Sequence, residues 1–100
     1  MNIDQRKSPR IVRLVPLTLS DGDQTVEAQS AVISAHGALV LSPRSFSPGT
    51  ELTLMNRRTG DCIDGTVVWA GDEEPGSPFK LGVEFSRPGG GFWGDDYRPE

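Results

Sequence analysis

FKLGVEF, residues 79–85, decides the fold class. Phe79, Leu81, Val83 and Phe85 fall on one face, and Lys80, Gly82 and Glu84 on the other. A strict two-residue period is the signature of a strand with one buried face. Five more runs read the same way. TELTLMN, residues 50–56, sends Leu52 and Leu54 one way and Thr53 and Met55 the other. CIDGTVVWA, residues 62–70, is a long strand with Gly65 as a candidate bulge. TVEAQSAVIS, residues 25–34, and GALVLS, residues 37–42, flank a short turn. IVRLVPLTL, residues 11–19, carries Pro16, which donates nothing to a ladder and marks an edge strand or a bulge.

The connections agree. SDGDQ, RRTGD and the acidic GDEEPGSP are turn-forming stretches, and Gly and Pro together supply 20 of the 100 residues. No run reads as a convincing helix. Six short strands with turn signals between them predict an all-β protein, an antiparallel barrel or sandwich. Closure into a barrel would leave so small a sheet no exposed edge. The expected organisation is a flexible basic segment over residues 1–10, a β-barrel over 11–86 and a Gly-rich tail over 87–100. The tail's FWG is too apolar for a free linker and is expected to fold back on the barrel, with an exposed partner-binding patch as the alternative.

Composition excludes several function classes. The net charge of -4 argues against a DNA- or RNA-binding face, which wants a broad basic surface. One cysteine, Cys62, forms no internal disulfide and suits a reducing compartment. No apolar stretch approaches the length of a membrane helix, and the N-terminus has no signal-peptide core. A cytoplasmic protein without membrane insertion is the expectation. No paired His and Cys, metal-ligand spacing or Gly-rich phosphate loop is visible, so neither an enzyme nor a metal site is expected.

One local feature runs against the overall charge. RKSPR, residues 6–10, gathers Arg6, Lys7 and Arg10 in an acidic chain, and Arg13 follows. A solvated tail is the bland reading. A bound anion is the sharper one. Pro9 biases Ser8 toward extended backbone. An extended chain would set Arg6 and Arg10 on one side, roughly 13 Å apart.

The order of motifs resembles the PilZ domain, the bacterial receptor module for cyclic di-GMP. A basic RxxxR segment (Arg6 to Arg10) precedes a six-stranded unit, a strand ending in SxxG (Ser34 to Gly37) follows, and KLGVEF closes the set. The likeness runs over roughly residues 5–94 and extends to ISAHGALV, VVWAG and FWG. The family's ligand site combines RxxxR with an acid or amide, then SxxG. Here the leading position of the second motif is Val32.

The resemblance implies a six-stranded PilZ-like barrel. It also implies a cyclic di-GMP receptor that changes shape on binding and acts through an unidentified protein partner, with no further cofactor. Its ligand-binding residues would be Arg6, Arg10, Ser34 and Gly37, with Lys7 as a third cationic contact and Val32 on the same face. Arginine suits this ligand: its fork matches guanine O6 and N7, pairs phosphate and stacks on a purine. Valine at 32 can neither accept from guanine nor hold an arginine. A lost hydrogen bond to a charged group costs about 1.5–3 kcal/mol, a factor of about ten to a hundred in Kd. Two readings stay open: a nucleotide receptor, or a degenerate barrel that serves as a protein-interaction adaptor in motility or pilus assembly.

The remaining candidates have plain readings. Ser34 and Gly37 are equally suited to a simple turn. His36 has no partner in sequence reach and reads as a surface residue, as do Arg57 and Arg58. Trp69 reads as a core or rim residue, with a stacking surface as the alternative.

Overall fold

The alternating stretch around Leu81 lies in a closed sheet. The computed structural model describes residues 10–71, 75–94 and 97. Its elements are β1 (Ile11–Val12), β2 (Pro16–Ser20), β3 (Thr25–Ser34), β4 (Gly37–Ser42), β5 (Glu51–Asn56), β6 (Cys62–Ala70), β7 (Phe79–Phe85) and a four-residue helix, α1 (Gly90–Trp93). Every strand pairing is antiparallel. The ladder runs β3–β2–β5–β6–β7–β4, and β4 pairs back on β3. Six strands therefore close into a barrel, and β1 is an additional strand against the second half of β3.

The first run is not one strand, as its alternation suggested. It is split into β1 and β2, with Arg13–Val15 out of the ladder. Ser30 fills the break. Its hydroxyl accepts from the Val15 N–H (2.9 Å) and donates to the Arg13 carbonyl (2.7 Å). Ser30 and Val15 are fully buried, so this side chain satisfies an N–H that water cannot reach. Pro16 stands first in β2, where a missing N–H is tolerated.

The interior is filled by the inward residues of each strand: Leu17, Leu19, Ile33, Val40, Leu52, Leu54, Ile63, Val67, Leu81 and Val83. Each such side chain contributes roughly 1.5–3 kcal/mol by leaving water. One end is covered by α1. Phe92 and Trp93 are buried and form an aromatic cluster with Phe85, mostly edge to face, ring centroids 4.9–5.7 Å apart. The fully buried Asn56 side chain donates to the Phe92 carbonyl (2.9 Å). Trp93 Nε1–H donates to the Ser34 carbonyl (2.7 Å), tying α1 to the end of β3. The FWG segment therefore offers no exposed aromatic patch.

Candidate functional site

Two bulges turn side chains outward to make one groove. In β3, alternation from Val26 through Ala28 to Ser30 would carry Val32 inward. The register shifts between Ser30 and Val32, and Ala31 is the extra residue. Ile33 goes into the core instead, and Val32 and Ser34 turn to the outer face. In β6, Ile63, Gly65 and Val67 face inward, and the same period would bury Trp69. The register shifts between Val67 and Trp69. Val68 is the extra residue, and Trp69 comes out, 48% exposed. Each bulge adds one residue on one strand and reverses the faces beyond it. Gly65, the sequence's candidate bulge, sits in regular register opposite Leu52 and Phe85. Trp69 is correspondingly not a core residue.

The outward residues form two neighbouring cross-strand rows. The first is apolar: Val12 pairs with Val32, Val32 with Leu39, Leu39 with Gly82, and Gly82 with Trp69. The second is polar: Ser34 pairs with Gly37, Gly37 with Glu84, and Glu84 with Thr66. The rows are about 7 Å apart, two residues along β3, β4 and β7, with the extra residue Val68 between them on β6. A groove of about 500 Å³ runs over them, lined by Arg10, Val32, Ser34, Gly37, Trp69 and Glu84 among others.

Trp69 lies over glycines. A Cβ on Gly82 would stand 3.3 Å from Trp69 Cβ, and one on Gly71 would stand 3.0 Å from Trp69 Cη2. The indole therefore rests on bare backbone and leaves area free for a planar group. Gly37 is required for a different reason. A Cβ there would lie 2.2 Å from the Val83 carbonyl oxygen, so β4 and β7 meet this closely only at a glycine. The Ser34 hydroxyl donates to the Gly37 carbonyl and accepts from the His36 N–H, both at 3.3 Å. Those bonds are long, at the weak end of the range. They shape the turn and leave the hydroxyl lone-pair capacity for another donor.

Of the six sequence candidates, Arg10, Val32, Ser34 and Gly37 line this one groove. Arg6 and Lys7 lie outside the described residues. Trp69, Leu39 and Glu84 join the groove without having been singled out as its lining. Glu84 was on the outward face of FKLGVEF from the start, but only the register places it beside Gly37. Among the described residues, no group of three or more His, Cys, Asp or Glu side chains can hold a metal ion. No helix there is long and apolar enough to cross a membrane.

Comparison with known proteins fits this arrangement. The PilZ domain model matches residues 4–90. The chain belongs to the PilZ domain family. Two solved structures show the same PilZ-like fold. One is the inhibitor of motility MotI/DgrA of Bacillus subtilis, 21% identical, TM-score 0.73, covering 89% of this chain and 46% of that one. The other is YcgR of Escherichia coli, solved in complex with c-di-GMP, 14% identical, TM-score 0.60, covering 83% of this chain and 38% of that one. At these identities the likeness is one of fold. The chain spans less than half the length of either. No curated protein matches it.

Proposed function

We propose that this PilZ barrel is a cyclic di-GMP receptor whose ligand lies in the groove over the two rows. The observation that carries the reading is the meeting of Arg10 with Ser34, Gly37 and the exposed face of Trp69 in one groove. The chemistry suits a cyclic dinucleotide. Arg10 supplies a fork for guanine or phosphate. Trp69 offers a stacking face, worth about 1–3 kcal/mol per base where aromatic side chains hold nucleic-acid bases. Val32 and Leu39 give an apolar floor for the remaining ring and sugar surface. Arg6 and Lys7 complete the cationic clamp in this proposal. Contact of Arg6 and Lys7 with the ligand would change the surface that a protein partner reads. The protein acts as a receptor or adaptor and not as a catalyst, in keeping with a cytoplasmic signalling role.

Calorimetric titration with cyclic di-GMP tests this. Wild type gives a saturable micromolar or tighter isotherm, and Arg10→Ala abolishes it. Retained affinity in Arg10→Ala removes the clamp from the account. Val32→Asp restores the family's acid and tightens binding about tenfold or more, by the hydrogen bond to a charged group it regains. An unchanged Kd there places position 32 away from the ligand.

One observation favours a second reading. The apolar row is exposed at both ends, with Val12 77% and Trp69 48% accessible. Exposed apolar patches mark partner surfaces. In the adaptor reading the row docks a protein and no nucleotide binds. A folded wild type that yields no heat with cyclic di-GMP favours it.

A further inference from the structure

We propose that Glu84 reads the guanine through its N1–H and N2–H₂ edge. The inference rests on the cyclic di-GMP reading above and extends it to specificity.

The polar row carries the argument. Glu84 pairs with Gly37, which pairs with Ser34. Gly37 has no side chain, so nothing on this row stands between Ser34 and Glu84. Their backbones are two strand spacings apart, about 10 Å. Glu84 and the candidate serine therefore share one outer row of the groove that they both line. One row along, Trp69 offers its ring. A purine stacked on that ring turns an edge toward the polar row. Guanine presents adjacent N1–H and N2–H₂ donors, and an ionised carboxylate accepts two such bonds side by side. Adenine has no donor pair there. A groove built around this carboxylate favours guanine, because a base without that donor pair cannot make both bonds.

A bystander carboxylate predicts the opposite sign. Glu84 stands near the place where a dianionic ligand would lie. If it made no contact, its removal would lessen repulsion and tighten binding roughly twofold. Loss of affinity on neutralising it is therefore diagnostic of contact. Glu84 is exposed and outside the core, so Glu84→Gln is expected to fold, with an unchanged thermal midpoint as the control.

Wild type, Glu84→Gln and Glu84→Ala are titrated by calorimetry with three probes: cyclic di-GMP, cyclic di-AMP, and cyclic di-inosine monophosphate, which lacks the N2 amine. The expected result is wild-type preference for cyclic di-GMP over the inosine analogue of roughly tenfold. Both variants should lose about tenfold or more in cyclic di-GMP affinity, with the preference collapsing toward unity. Unchanged or tightened cyclic di-GMP binding in the variants overturns the role of Glu84 and leaves the receptor reading standing. No binding of any probe by folded wild type overturns both.

Discussion

Replacing Trp93 with phenylalanine isolates what holds the end of β3 in place. The indole is fully buried, and its Nε1–H donates to the Ser34 carbonyl at 2.7 Å. Phenylalanine keeps ring packing against Phe85 and Phe92 but loses that donor and two ring carbons. An unsatisfied buried carbonyl costs about 1–3 kcal/mol. Ser34 is only half-buried, so water replaces part of the bond and the low end, about 1 kcal/mol, applies. Two buried carbons add about 1.5 kcal/mol at 0.8 kcal/mol each. The sum is about 2.5 kcal/mol, a large share of the roughly 5–15 kcal/mol that stabilises such domains. Thermal unfolding followed by circular dichroism should show the midpoint falling roughly 10–20 °C. Hydrogen exchange should quicken in the Ser34–Gly37 turn before it does in β5. A stability loss below about 1 kcal/mol, or exchange unchanged at the turn, would refute the claim that α1 braces the groove from behind.

Two further outcomes follow from local bonds. Ser30→Ala strands the buried Val15 N–H, while water can reach the exposed Arg13 carbonyl, so urea titration should show a loss of roughly 1–3 kcal/mol, and a loss under 1 kcal/mol contradicts the stitched break. In the β2–β3 turn, backbone N–H groups of Gln24 and Asp23 hold the Asp21 carboxyl below its ordinary 3.8. A depressed folded value means the stabilisation is complete above pH 3.8 and is lost as pH falls through the folded value. The stability gap between wild type and Asp21→Ala should therefore narrow on acidification below about pH 4, and a gap that widens there reverses the sign of the argument.

Period-2 patterns made the barrel legible, because a strand with one wet face must alternate. FKLGVEF, GALVLS and TVEAQSAVIS form strands over the residues their patterns mark. What alternation does not carry is the extra residue. Ala31 and Val68 look like ordinary strand residues, yet each reverses the faces beyond it. Alternation alone therefore puts Trp69 in the core or at the rim, whereas the bulges bring both Trp69 and Val32 to the outer face. The break after Val12 had a visible signal in Pro16, but its cause, the buried hydroxyl of Ser30, sits 17 residues from Arg13. Arg10, Ser34 and Gly37 were legible as motif residues. Glu84 was not, since its place beside Gly37 depends on the β4–β7 register and on no local pattern.

The most direct test of the central claim is an amide chemical-shift map of the ¹⁵N-labelled protein titrated with cyclic di-GMP. The account predicts that the largest changes cluster at Arg10, residues 32–39, Trp69 and residues 82–84, saturating with one Kd. Changes centred instead on the acidic groove of Asp21, Glu51 and Asp64, or no changes in a folded protein at millimolar ligand, would contradict it.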